Sequence, residues 1–327
     1  MQKYISEYLN DDNAVSSKYH GPKFDAHVHL GKMKGIHDLI KYREEFGIKK
    51  SVGIVWGDNN EKLESNFPDK FVLARYFRSR DLFKVNPDLK ALTDSIEQIY
   101  QQGFPIVKFW FGPRWVDYVE GQLKMETRKI RLSDEFFRSI CSKIEELGLV
   151  LLIHVSDPDL WYEKVYKPVS RYGTKKEHID DFENILSSFP GLKVLNAHFG
   201  GQPENLENLS KWFDAYPNYH IDTSSARWMA RELGRYPEKA RKFFIKHSDR
   251  ILFGSDLVQD RSKPVSKYYM SRYFTFQAIL ETSVRDLTLP FPDPENDNNT
   301  KINGLDLPLD VLKKIYWENA RKLFKLK

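Results

Sequence analysis

A single cysteine, Cys141, stands in the 327 residues, which rules out a disulfide within the chain. Its place in the helical stretch FFRSICSKIEEL gives it the part of a small buried apolar group rather than a nucleophile. No stretch approaches the length of a membrane span, and the opening MQKYISEYLNDDNAVSS lacks the apolar segment of a secretory signal. A cytoplasmic enzyme is the expectation. Blocks of one charge are missing too: 51 basic residues are interspersed with 46 acidic ones, for a formal net charge of +5. That excess mildly favours small anions and gives no reason to expect a nucleic acid or a membrane as partner. Nor does a glycine-rich turn follow the first apolar run, as it would in many open, doubly wound sheets. With no internal repeat or linker, residues 1–327 are expected to form one domain.

What is present is an alternation. Apolar runs rich in β-branched and aromatic residues fall at 24–30, 51–57, 71–77, 105–111, 149–155, 192–200, 218–225 and 250–257. Helical patterns such as HDLIKYREEFG, LTDSIEQIYQQG and SDEFFRSICSKIEELG lie between them. Gly47, Gly103 and Gly148 stand where a helix would stop before the next strand. Eight such runs, most of them apolar on both faces and alternating with helical patterns, predict an α/β fold: a single (β/α)8 TIM barrel. Long connections follow strand four (112–133), strand five (156–184) and strand eight (258–308), all leaving the carboxyl ends where barrels place their active sites. The last contains PFPDPENDNNTKINGLDLP, which reads as a polar surface loop, and YYMSRYFTFQAILET (268–282), which reads as an amphipathic helix closing over the site or meeting a second subunit.

His27 and His29 are two apart on the first strand, so both side chains share one face, and in a closed barrel that face is the interior. Neutral imidazoles are good ligands for zinc, manganese or iron. His154 ends the fifth apolar run, His198 the sixth and Asp256 the eighth, while Lys108 lies near the end of the fourth. Each alone has an ordinary structural role open to it, a hydrogen-bonded core histidine or a helix cap. Together they place polar and charged groups at apolar strand ends, where such groups need a partner or a metal.

With these residues in view, the chain resembles the amidohydrolase superfamily, in particular the amidohydrolase-related branch of hydrolases and nonoxidative decarboxylases. The resemblance runs from DAHVHLG, through FENILSSFPGLKVLNAHFGG and RILFGSD, to IYWENARKLFKL. It implies that His27, His29 and His154 are metal ligands, that Asp256 is both ligand and proton shuttle, and that His198 binds metal or polarises the substrate. It also implies a divalent metal, with zinc expected and manganese as the alternative. Lys108 would bridge two metals if carboxylated; the expectation is one ion and an unmodified Lys108 that binds a substrate anion or pairs with a carboxylate. A divalent ion in such a set makes hydroxide available near neutral pH, Asp256 takes and returns a proton, and His198 hydrogen-bonds the oxygen on which charge develops.

The substrate is expected to be a small anionic molecule. Trp56, Trp110, Trp115, Trp161 and Trp228 lie beyond strand ends, together with Arg78, Arg80, Arg114 and Arg227. Trp110, Trp161, Arg114 and Arg227 are the substrate-binding candidates, since aromatic walls with a few arginines suit a ring-bearing carboxylic acid or lactone. The alternative is packing of the tryptophans on the barrel rim. Asp222 either orients a histidine from behind, together with an inward His220, or caps the helix that follows. His20, His37, His178 and His247 read as surface or helix-packing residues. The leading function is a metal-dependent hydrolase of a C–O or C–N bond; the alternatives are a decarboxylase of an aromatic or unsaturated acid on the same site and a catalytically inactive binding barrel. Members of the branch are often dimers, so a homodimer is open by resemblance.

Overall fold

The computed structural model describes residues 17–56, 60–77, 82, 84, 86–125, 130–259 and 265–326. Arg78 and Arg80, named above, lie outside the described residues. The fold is α/β and of the TIM-barrel-like class: parallel strands alternate with helices along the chain. Two compact units make it up, residues 1–72 with 222–327, and residues 73–221.

In the second unit, which takes β3 (Phe71–Tyr76) from Leu73 and β7 (Tyr219–Asp222) up to Ile221, these two strands and β4 (Ile106–Trp110), β5 (Val150–His154) and β6 (Lys193–Asn196) pair in chain order, every neighbour parallel. Parallel neighbours need a crossover, and helices supply it. Helix α1 (Leu89–Gln101) is capped by Asp88, whose side chain accepts from the Ala91 amide, and it buries Leu92, Ile96 and Ile99 along one stripe. Helix α2 (Glu135–Glu146) buries Cys141 with Phe137 and Ile140, and burial pushes that thiol's pKa up, the environment of an inert cysteine. Helix α3 (Lys175–Ser188) opens on a full capping box of Thr174 and Glu177. Gly103 and Gly148, just past α1 and α2, take φ of 82° and 65°, the left-handed stop that a side chain resists.

In the first unit, β1 (Lys23–His29) lies between β2 (Ile48–Val55) and β9 (Leu257–Val258), parallel to both. Its period of two sorts the residues: Phe24, Ala26 and Val28 share one side, Asp25, His27 and His29 the other. Phe24 stacks on Phe324 at 5.6 Å and meets Trp317 edge-on at 6.4 Å, so the first side packs on the C-terminal helices. The polar side is left for chemistry. A carboxylate anchors the start of the strand: Glu281, fully buried, accepts from Lys23 Nζ (2.6 Å), the Lys18 and Tyr19 amides (2.8 and 3.0 Å), Ser17 Oγ (2.9 Å) and Tyr316 OH (2.9 Å).

Four sequence expectations shift. The sixth strand stops at Asn196 rather than continuing to 200, and His198 and Phe199 follow in left-handed conformation at φ 57° and 56°. The eighth run is not one strand: β8 (Ile251–Leu252) and β9 are separated by a break that holds Ser255 and Asp256, the latter at φ 56°. Asp is among the few residues that tolerate this region, which lets the chain turn there without glycine. The stretch 268–282 belongs to a helix, Val265–Glu281, but is not amphipathic: from Tyr269 to Glu281 every residue except Arg272 is buried. It is a core helix rather than a cover. The proline-rich excursion after it is not simply surface either, since its Asp293 is buried and clamped by Arg231 Nη1 at 2.9 and 3.1 Å.

Candidate metal centre

His27, His29 and Asp256 converge. One ligand atom from each lies within 4.8 Å of the others, with Asp256 Oδ1 at 3.4 Å from His27 Nε2 and 3.3 Å from His29 Nε2. β1 supplies the two rings on its polar side, and the break between β8 and β9 turns Asp256 toward them; the Asp256 amide bonds the His27 carbonyl at 2.8 Å. His27 is fully buried, while His29 and Asp256 keep 15% and 29% of their side chains exposed, enough for a small molecule to reach them.

Behind these three stands a frame of carboxylates and hydroxyls. His27 Nδ1 meets Asp222 Oδ2 at 2.9 Å, and Asp222 Oδ1 accepts from the Ser224 amide at 2.9 Å and from its hydroxyl. An ionised carboxylate only accepts, so with Asp222 ionised Nδ1 is the donor of that pair, and Nε2 is the ring atom turned toward Asp256. Asp25 Oδ1 accepts from the His27 and Ser255 amides (3.1 and 2.9 Å), and its Oδ2 accepts from Ser255 Oγ and Tyr273 OH (2.5 and 3.2 Å). Burial pushes the Asp25 carboxyl up to about 7 against the pull of these four bonds. Asp25 was not singled out in the sequence, although two-residue spacing puts it on the face of His27.

Of the two roles weighed for Asp222, its carboxylate holds a histidine, and that histidine is His27. His220 does not join it: its Nδ1 lies 3.1 Å from the Asn218 carbonyl.

The second unit has its own histidine cluster. His154, the last residue of β5, and His198 meet edge-on with centroids 4.3 Å apart. His154 Nε2 lies 2.8 Å from Asp157 Oδ1, and Tyr166 donates to the other oxygen of the same carboxylate. Burial pushes Asp157 up, but the charge and hydrogen bond of His154, with the Tyr166 hydroxyl, outweigh it and hold the carboxyl below its ordinary value. In the neutral ring Nδ1 is then the remaining ligand atom of His154. Lys108 is the third of the five residues of β4, not near its end, and is buried.

The substrate candidates have local partners. Arg227 Nη1 pairs with Glu295 at 2.6 Å, Arg114 lies 3.7 Å from Asp117 and is half exposed, Trp110 rests against Tyr118, and Trp161 against Tyr166. Trp115 and Trp228 are buried and serve packing. Trp56 differs: it is 46% exposed and stacks on His29 at 6.4 Å. It walls a cavity of about 490 Å³ with Leu30, Met33 and Leu63, into which Lys32 and Lys62 bring positive charge. A cavity of about 740 Å³ in the second unit, between Trp115 and Tyr172, is lined by none of Lys108, His154 and His198.

A family model described as Amidohydrolase matches residues 119–326, and the chain belongs to that family. No curated protein matches it. Among solved structures it is similar to a probable 2-pyrone-4,6-dicarboxylic acid hydrolase from Acinetobacter baumannii with citric acid bound, at 12% identity and TM-score 0.54, over 93% of this chain and 99% of that one. It is similar to a 2,6-dihydroxybenzoate decarboxylase from Rhizobium, at 16% identity and TM-score 0.52, over 94% and 99%. A third is 5-carboxyvanillate decarboxylase from Novosphingobium aromaticivorans, complexed with manganese and 4-hydroxy-3-methoxy-5-nitrobenzoic acid, at 14% identity and TM-score 0.53, over 96% and 99%. These relatives are enzymes, hydrolases and decarboxylases, and at such identities the likeness carries the fold. No helix among the described residues is long and apolar enough to cross a membrane.

Proposed function

We propose that the chain, residues 1–327 acting as one catalytic domain, is a metal-dependent hydrolase that cleaves a C–O or C–N bond of a small carboxylated substrate. The observation that carries this reading is the spacing of the donors. Ligand atoms around a tetrahedral centre with bonds of about 2.0–2.2 Å lie about 3.3–3.6 Å apart, and Asp256 Oδ1 stands 3.3 and 3.4 Å from the two Nε2 atoms. Two imidazoles and a carboxylate suit both zinc and manganese. A single divalent ion held by His27, His29 and Asp256 would supply Lewis acidity and lower the pKa of water.

The remaining work falls to side chains. Asp256, part-exposed and anchored through its amide, takes a proton at one carboxylate oxygen and returns it to the leaving group. Trp56 offers a flat wall for a ring, and Lys32 and Lys62 attract the substrate's negative charge.

A nonoxidative decarboxylase is the second reading, favoured by the exposed Trp56 stacked on His29, a surface that accepts an aromatic ring beside the donors. Product analysis on ring-bearing mono- and dicarboxylic acids and their lactones separates the two. Hydrolysis predicts a cleaved or ring-opened product with all carbons retained. Release of carbon dioxide with loss of one carboxylate overturns it in favour of the lyase, and turnover of neither class by metal-loaded protein removes both.

A further inference from the structure

We infer that Asp222 is the positioning residue that fixes the tautomer of His27, and that the affinity of the centre for its divalent cation depends on it. The inference rests on the metal reading above. Three observations carry it. First, the contact is direct and buried: both side chains have 0% exposure, and Oδ2 lies 2.9 Å from Nδ1. Away from water such a bond is stronger and less easily exchanged than at the surface.

Second, Asp222 cannot turn away. Its other oxygen is taken by the amide and hydroxyl of Ser224, so only Oδ2 is left for the histidine. Third, the space around the pair is reserved. A Cβ on Gly254 would stand 3.1 Å from Asp222 Cβ and 3.2 Å from His27 Cβ, so glycine at this position lets the two side chains close on each other.

The chemical consequence is specific. With a proton held on Nδ1, the Nε2 lone pair points at Asp256 and at any cation shared with it. Replacing the carboxylate by an amide of the same shape reverses this. In Asp222→Asn the Ser224 amide still needs an acceptor, so the amide oxygen takes the Oδ1 position and the NH2 group faces His27. His27 Nδ1 must then accept, and the proton moves to Nε2, the atom needed for ligation.

The test compares wild type, Asp222→Asn and Asp222→Ala after chelator treatment, titrating each with manganese(II) alone and reading free ion by electron paramagnetic resonance. Histidine-ring 15N correlation spectra of the metal-free proteins report which nitrogen of His27 is protonated. Wild type is expected to show an Nδ1 proton, and Asp222→Asn an Nε2 proton with a Kd about 10- to 100-fold weaker. Asp222→Ala is expected to weaken Kd with no tautomer enforced. A folded Asp222→Asn with wild-type Kd and an unchanged Nδ1 proton overturns the positioning role. Wild type that binds no manganese or zinc overturns the metal reading and this inference with it.

Discussion

Each of the two units holds two neighbouring histidines with a carboxylate on one of the rings, and the two carboxylates engage opposite nitrogens of that ring. In the unit formed by 1–72 and 222–327, Asp222 takes Nδ1 of His27 from behind, and the Nε2 atoms of His27 and His29 face Asp256. In the unit 73–221, Asp157 takes Nε2 of His154 directly, and Tyr166 completes that carboxylate. The residue types are the same; the nitrogen engaged differs. Either arrangement leaves the other ring nitrogen as the ligand atom, Nε2 in His27 and Nδ1 in His154; what sets the first cluster apart is that His29 and Asp256 bring two more ligand atoms within 4.8 Å. The contrast makes the first cluster the candidate metal centre, although His154 and His27 look alike in the sequence.

The sharpest way to break the comparison is to remove the converging rings. His27→Ala/His29→Ala is expected to lose bound metal and turnover together, an effect beyond the roughly 10- to 100-fold change due to a residue behind the ligands. Elemental analysis and far-ultraviolet circular dichroism check it; retained metal in a folded variant contradicts the assignment.

A carboxylate with no chemistry to perform serves as the control. Glu281→Ala strips a buried acceptor from Lys23 and four other donors, and should cost about 3–5 kcal/mol in denaturant unfolding. Burial pushes the Glu281 pKa up, but Lys23 and the hydrogen bonds hold it below the ordinary glutamate value of 4.5. A depressed folded pKa means stability that is present above about 4.5 and lost as pH falls through the folded value. The gap between wild type and Glu281→Gln should therefore narrow on acidification below 4.5, and a gap that widens there contradicts the pairing.

The smallest effect belongs to the second cluster. Asp157→Ala leaves His154 Nε2 and Tyr166 OH without their acceptor and should cost about 1–3 kcal/mol, with metal stoichiometry unchanged. Loss of the metal in that variant would make His154 and Asp157 part of the centre and erase the distinction between the two regions.

The strand–helix alternation was legible because most of the strands are apolar on both faces, a pattern that few other folds demand. The pair His27 and His29 was legible for the same reason, since a period of two puts them on one face. The ends of strands six and eight were not: His198 and Asp256 sit in left-handed turns, and nothing in NAHFGG or FGSD separates strand from turn by apolarity alone. The supporting acids were hidden differently. Asp25 accepts from the amide and hydroxyl of Ser255, 230 residues away in sequence, and Asp157 lies outside its strand in a loop. Lys32 and Lys62 form part of a wall only once β1 and β2 stand side by side.

The central claim is that His27, His29 and Asp256 hold a divalent ion. Elemental analysis of protein purified without chelators or added metals, then titrated with zinc and manganese, tests it most directly. The account predicts about one equivalent per chain, absent from the His27→Ala/His29→Ala variant. Folded wild-type protein that takes up neither ion, or that keeps its full metal content without the two histidines, contradicts it.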